Sequence, residues 1–199
     1  MNDSHLTIRT AAPADLDAII GLHAAARSAC YRGFVPDEQL AELAASARWR
    51  EAHQQRIADP RCTTLCAERD GQLAGFVILG PPHEPAPDPS IVGQLFQIHV
   101  SPRYWRQGIG RALHDACVRC WQSASIGTAR VEVWANNGRA RAFYAAHGWR
   151  PDGHRRPGEA GFDYLRLCLA IPPLAIPRPV VPRPAMPPLT VPRPEMPPD

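Results

Sequence analysis

Apolar and polar residues alternate along Leu6-Thr7-Ile8-Arg9, as they do on a half-buried strand. Pro13 then stands where a helix can begin, and Leu16, Ile19, Ile20 and Ala24 follow at helical spacing to about Ala29. The segment Tyr31-Arg32-Gly33-Phe34-Val35-Pro36 breaks that pattern with a glycine and a proline. A second helix is predicted from about Asp37 to Ala58, with Leu40, Leu43, Ala44 and Ala47 on one side. Two apolar runs, Thr63 to Glu68 and Leu73 to Gly80, flank Arg69-Asp70-Gly71-Gln72 and read as an antiparallel hairpin. A loop rich in proline and acid, Pro81 to Pro89, leads to a strand from Gln94 to Val100.

Past Gly108 and Gly110 the pattern turns helical again. Ile109, Leu113, Ala116, Cys117, Cys120 and Trp121 line one face of a helix of about four turns. Val131-Glu132-Val133-Trp134 reads as a strand, Ala140 to His147 as a short helix stopped by Gly148, and Tyr164 to Leu169 as a closing strand. An early hairpin followed by strand, helix, strand, helix and strand predicts an α/β (α+β) fold, a mixed sheet flanked by helices. One domain, residues 1–170, is expected, since 199 residues are too few for two ordinary domains.

From Ile171 the composition turns to proline, small apolar residues and arginine. Pro172-Pro173-Leu174-Ala175-Ile176-Pro177-Arg178-Pro179 returns imperfectly as Pro187-Pro188-Leu189-Thr190-Val191-Pro192-Arg193-Pro194. Residues 171–199 therefore read as a disordered proline-rich tail that samples polyproline II, reaching roughly 90 Å at about 3.1 Å per residue. Two roles stay open for it, a docking arm for an aromatic groove on a partner and an inert repeat.

Charge excludes more than it assigns. All 22 basic residues are arginine, yet the net charge is only +3 and the arginines are scattered, so no nucleic-acid footprint is present. No apolar run spans a bilayer and no leader pattern opens the chain, so a cytoplasmic protein with no membrane partner is expected. Six cysteines include Cys117 and Cys120 at a zinc-like spacing, but no second pair matches it and both fall on an apolar helical face. Core thiols, and no metal, are the expectation.

The candidate chemistry lies between Val92 and Gly153. A strand feeding Arg106-Gln107-Gly108-Ile109-Gly110-Arg111 and then a helix makes an anion pocket, because backbone N–H groups converge at the helix start. Leu113 stands where a dinucleotide fingerprint needs its third glycine, and the Lys of a triphosphate loop is absent.

Over most of residues 6 to 169 the chain resembles the GCN5-related N-acetyltransferase superfamily. The likeness rests on Gln97-Ile98-His99-Val100-Ser101-Pro102 with Arg106 to Leu113, and on Val133 to Trp149 with Asn136-Asn137, Phe143-Tyr144 and Gly148-Trp149. The resemblance implies a mostly antiparallel central sheet, acetyl-CoA as the acetyl donor, and an amine, small or on a peptide or protein, as acceptor. It further implies that backbone groups of Ile98 and Val100 pair with the pantetheine, that Arg106, Gln107, Gly108, Ile109, Gly110 and Arg111 cradle the pyrophosphate, and that Asn137 contacts the cofactor. Tyr144 matches the tyrosine that protonates the leaving thiolate, a role suited to a hydroxyl of pKa about 10. Phe143 is read as packing.

Two departures from the family pattern matter. Trp105 replaces the usual Arg or Gln, so a side-chain contact to phosphate passes to Arg106. Gln94 stands in line with a glutamate that many members use as base, and an amide cannot take a proton from an amine that is neutral only about once in a few thousand molecules at pH 7. Unless a bulge intervenes, alternation puts Gln94, Phe96, Ile98 and Val100 on one face and Gln97 and His99 on the other. His99 is a weak substitute, His83 and Glu84 in the loop stay open, as do water alone and a substrate of low pKa, and the base stays unassigned.

Tyr31 and Gln94 are the acceptor-side candidates. The segment from Tyr31 to Pro36 resembles one that borders the acceptor in a bacterial branch of the superfamily, though it also reads as an ordinary helix–helix turn. Asp163 and Tyr164, near the last strand, are further candidates to face an acceptor pocket that residues 27 to 60 and 80 to 93 otherwise build. The expected reaction is direct transfer of acetyl from acetyl-CoA to the amine in a ternary complex. The alternative is a CoA-binding sensor or scaffold that uses the tail to engage a partner. A homodimer is left open.

Overall fold

The computed structural model describes residues 5–83, 86, 88 and 90–174, without the side chains of residues 43–45 and 159. Glu84 and most of the proline-rich segment, and with them the readings made of both, lie outside the described residues.

The chain begins with strand β1 (Leu6–Thr10), helix α1 (Leu16–Tyr31), and helices α2 (Asp37–Ala45) and α3 (Ala47–Ala58). The single helix predicted here is broken at Ser46, whose extended backbone ends one helix while its hydroxyl accepts the Trp49 amide at 3.3 Å to cap the next. Strands β2 (Thr63–Arg69) and β3 (Gln72–Gly80) form the predicted hairpin. Its two-residue turn has φ +51° at Asp70 and +73° at Gly71, the positive pair that matches strand twist.

Strand β4 (Val92–Val100), helix α4 (Ile109–Ser123), strand β5 (Thr128–Trp134) and helix α5 (Gly138–Ala146) follow. The chain then returns through β6 (Arg150–Pro157) and β7 (Asp163–Ala170). β6 was not predicted: it is an exposed edge strand, Arg-Pro-Asp-Gly-His-Arg-Arg-Pro, with no apolar alternation to betray it. Ile171, just past β7, is still buried.

The sheet has the order β1-β2-β3-β4-β5-β7-β6, and β4 with β5 is its parallel pairing while the others are antiparallel. On one face Leu113, Ala116, Cys117 and Trp121 of α4, with Tyr144 and Trp149, pack on Val77, Leu95, Val131 and Val133. On the other, Ile19 and Leu22 of α1 pack on Cys66, Phe76 and Ile78. A third cluster joins Tyr31, Val35 and Leu40 to Trp134. All six cysteines are free thiols, with Cys66 and Cys117 fully buried. No described helix is long and apolar enough to cross a membrane.

Candidate active site

The site exists because β4 and β5 part. They pair from Val92↔Thr128 to Leu95↔Val131 and no further, although β4 continues to Val100 and β5 to Trp134. Backbone groups on the inner edges beyond that point have no strand partner, and a cleft of about 910 Å³ opens between the strands and runs to both faces of the sheet. An extended ligand can use such an edge as it would a neighbouring strand.

A bulge sits at the fork. Leu79 faces Leu95 while Ile78 faces Gln97, so Phe96 is the extra residue of β4. This reverses the parity expected from plain alternation. Leu95, Ile98 and Val100 join the core beneath α4. Phe96, Gln97 and His99 turn to the α1–α3 face, where Phe96 packs against the Ile19 cluster and Gln97 lies 3.2 Å from His53 Nε2. By the same alternation Gln94 shares the face of His99, the opposite of the sequence expectation.

The α4 end of the cleft is built mostly from backbone. Gly108 is the residue before α4 and holds φ +82°, a left-handed conformation in which an L side chain costs about 1–2 kcal/mol. A Cβ there would meet nothing within 4 Å, so conformation alone selects glycine. At Gly110 the reason differs: a Cβ would press on the Phe143 ring at 3.4 Å, so this glycine brings α5 against α4. Phe143 thus packs, as expected. No side chain caps α4, which leaves its first amides free to face an anion. Arg106 and Arg111 line the cleft beside them.

Trp105 has found a different use from the residue it replaces. Its indole N–H donates to the Val100 carbonyl at 2.8 Å, and the Arg139 guanidinium stacks 3.2 Å over its ring. The pantetheine contact predicted at Val100 therefore shares that carbonyl with a side chain. Asn137 is likewise partly committed, since its Oδ1 accepts the Ala140 amide at 3.0 Å and caps α5. Its Nδ2 is the group left for a ligand.

Tyr144 is buried between Phe143 and Trp149, with ring centroids 5.5 and 5.6 Å away, and also lines the cleft. Burial, with Cys117 nearby, pushes its phenol above the ordinary value. It therefore keeps its proton at neutral pH and can only give it up to something strongly basic.

On the α1–α3 face the cleft is built from side chains. His23 stacks on Trp49 at 4.2 Å with parallel planes and lies 4.5 Å from His99 and 5.1 Å from His53. Burial, then the neighbouring His53 and Arg27, pushes His99 down to about 4, and burial with His99 and His53 pushes His23 lower still. Both rings are neutral at pH 7, but neither holds a proton well enough to be a good base. His83 lines the cleft 6.0 Å from Phe96.

Of the acceptor candidates, Tyr31, Gln94 and Tyr164 line the cleft and Asp163 does not. Tyr31 and Tyr164 share a hydroxyl hydrogen bond of 2.7 Å, and Tyr31 lies 4.5 Å from the Trp134 ring. Burial and that hydrogen bond push the Tyr31 phenol up. Gln94 is buried, with a long 3.4 Å contact from Nε2 to the Leu95 carbonyl.

The sequence reading missed Glu132. It lies on β5 between the buried Val131 and Val133, pointing to the opposite face, and is the carboxylate among the described lining residues. Arg156 from β6 donates Nε to its Oε2 at 2.7 Å and pairs with it through Nη2 at 2.5 Å. A charged residue flanked by two core valines on a central strand was the available signal.

Comparison with known proteins agrees with this geometry. The model of the "Acetyltransferase (GNAT) family" matches residues 26–149. A [ribosomal protein bS18]-alanine N-acetyltransferase of Escherichia coli K12 is 39% identical over 62 residues, 31% of this chain and 42% of the relative. The chain thus matches less than half the length of that curated relative. Among solved structures, the PaiA N-acetyltransferase of Thermoplasma acidophilum in complex with coenzyme A has a TM-score of 0.67 at 19% identity, covering 81% of this chain and 98% of the other. The ribosomal-protein-S18-alanine N-acetyltransferase of Escherichia coli has a TM-score of 0.62 at 23% identity, covering 87% and 98%.

Proposed function

The chain belongs to the acetyltransferase (GNAT) family, and from this we propose that it transfers acetyl from acetyl-CoA directly to a primary amine. The observation that carries the reading is the uncapped start of α4 at the mouth of the β4–β5 fork. An anion cradle and an open strand edge are placed in sequence, as a pyrophosphate followed by an amide-bearing arm requires.

In this reading the amides from Arg106 to Arg111 hold the pyrophosphate, and Ile98 and Val100 offer backbone groups to the pantetheine. The amine approaches from the α1–α3 face and attacks the thioester carbon. Backbone donors on β4 meet the oxyanion. Glu132 takes the proton that leaves the amine, with Arg156 fixing the carboxylate's orientation. Tyr144 gives its proton to the sulfur as the carbon–sulfur bond breaks, and takes one back from solvent afterwards. No covalent acetyl-enzyme is needed.

Gln94 alone favours a CoA sensor without turnover, and the carboxylate of Glu132, on another strand, supports transfer instead. The test is release of free thiol from acetyl-CoA against a panel of amines and short peptides. Turnover on at least one acceptor is expected, whereas CoA binding with no thiol release on any would restore the sensor. The ribosomal relative makes a polypeptide N-terminal amine one natural member of the panel. A soluble cytoplasmic setting and an optional homodimer fit this chemistry.

A further inference from the structure

At the outer end of the acceptor side, aromatic rings from three parts of the chain come together. Trp134, the last residue of β5, is buried and lines the cleft. Phe34, from the turn after α1, and Phe162, from the turn between β6 and β7, meet it edge-on with ring centroids 5.4 and 5.6 Å away. The two phenylalanines lie 6.1 Å apart and are 49% and 40% exposed. Gly158 makes room for this, because a Cβ there would stand 2.5 Å from the Phe162 carbonyl and 2.7 Å from the Tyr164 ring. Packing accounts for Trp134, but Phe34 and Phe162 leave much of their surface in water as an apolar lip of the cleft.

The same chain carries the kind of segment that such a surface binds. Pro-Arg-Pro-x-x-Pro recurs at 177–182, 182–187 and 192–197. At three residues per turn of polyproline II, the second and last prolines of each unit share a face, and prolines so presented dock on aromatic rings at little entropic cost. Charge agrees: Asp37 and Glu38, exposed at the start of α2 just past Phe34, outnumber the exposed Arg32 of the preceding turn and offer carboxylates to Arg183 and Arg193.

Reach selects among the units. The chain leaves β7 beside α4, where the Ile171 amide donates to the Gly127 carbonyl at 2.9 Å and Gln122 Nε2 to the Pro172 carbonyl at 3.0 Å. That exit is at the Thr128↔Ala170 end of the β5–β7 pairing, and the lip is at its Trp134↔Tyr164 end, roughly 20 Å away at about 3.4 Å per residue. From Leu174, at about 3.1 Å per residue, Pro177 lies within roughly 9 Å, Pro182 within roughly 25 Å and Pro192 within roughly 56 Å. The first unit is a spacer, and the second and third can reach the lip.

We infer that the units at 182–187 and 192–197 dock on the Phe34–Trp134–Phe162 lip of the same molecule; on the acetyl-transfer reading, they then compete with the acceptor for the mouth of the cleft. With an effective concentration on the order of 1 mM, a contact with a Kd of about 0.1 mM holds the lip about nine-tenths of the time. Donor binding at the start of α4 is left alone.

Methionine makes the test direct, since the chain has three, Met1, Met186 and Met196, and the last two lie inside the second and third units. The test is the NMR spectrum of the full chain, isotopically labelled at the methionine methyls and saturated with CoA. Docking beside the rings should shift the Met186 or Met196 methyl upfield of its position in a synthetic peptide of residues 175–199, equally at all protein concentrations. Phe34→Ser with Phe162→Ser, both at exposed rings, should return the methyls to the peptide position, and so should Arg183→Glu with Arg193→Glu, both in the tail. Methyls at the peptide position in the parent chain, shifts that survive both double variants, or shifts that grow with protein concentration, as docking on a second copy gives, would overturn the inference. In steady-state assays Arg183→Glu with Arg193→Glu should lower KM for the acceptor about tenfold with kcat and CoA affinity unchanged, and an unchanged KM would remove the competition. The spectrum needs no turnover, so shifted methyls in an inactive chain defeat only the transfer reading, and turnover with unshifted methyls defeats only this one.

Discussion

The two ends of the cleft are made of different material. The end proposed for the donor is built from backbone: the amides at the start of α4, the left-handed Gly108 and the unpaired edge of β4. The end proposed for the acceptor is built from side chains of α1, α3, β4, β5 and β6, with His23, Trp49, His99, Glu132 and Arg156 drawn from distant parts of the chain. A backbone site demands glycine and a fixed run of residues, and so leaves a local signature. A side-chain site demands only that certain groups arrive at one place, and many sequences can deliver them.

The sharpest way to break this contrast is at Glu132. Replacing it with glutamine keeps a hydrogen bond to Arg156 but removes the base, so kcat/KM should fall by about a hundredfold or more with CoA affinity unchanged. Steady-state kinetics beside CoA titration checks this, and an active Glu132→Gln would return the base to the unassigned.

Tyr144→Phe comes next. Loss of the proton donor should lower kcat by about ten- to a hundredfold while leaving CoA affinity and folding near the parent, because the ring still packs against Trp149. Unchanged turnover would leave Tyr144 as a core residue that happens to line the cleft.

Gly108→Ala probes the backbone end. Alanine meets no neighbour there, so the expected loss is the conformational term alone, about 1–2 kcal/mol, or roughly tenfold in CoA affinity. Here KM for acetyl-CoA should rise with kcat for a saturating acceptor little changed, the reverse of the Glu132 pattern. Equal damage to both constants would show that the two ends are not separable.

The smallest effect concerns pH. His99 has its pKa lowered in the folded chain to about 4 from 6.5, so the folded state binds fewer protons than the unfolded one between those values. Its contribution to stability is complete above pH 6.5 and is lost as pH falls toward 4. Melting curves from pH 7.5 to 5 should show the parent losing stability on acidification and His99→Gln losing less, with His23 sustaining the remainder. Identical pH slopes in the two would mean that the cluster is already charged or solvated.

Much of the fold was legible beforehand. The hairpin turn at Asp70-Gly71, the helix after Gly110 and the stop at Gly148 each carry their own local reason, and each lies where it was expected. The break at Ser46 and the strand β6 escaped notice, the first because one serine in an otherwise helical run is a weak signal, the second because an exposed edge strand needs no apolar pattern. In the cleft, the glycine turn and Asn137 were singled out by motif and both line it, although Asn137 caps α5 as well. Glu132 was passed over as one polar position of a strand.

By itself, then, the sequence determined what short-range physics controls: the hairpin turn, the helix starts and stops, the phosphate-ready turn, and the family to which its two motifs belong. The tertiary structure decided which side chains meet. One bulge at Phe96 reversed the facing of half of β4, turning His99 toward His23 and placing Ile98 and Val100 under α4, and no periodicity rule applied across that residue. The meeting of Glu132 with Arg156 was settled the same way. It depends on the chain leaving β5 for α5 and returning through β6, a long-range pairing that local residue patterns do not encode.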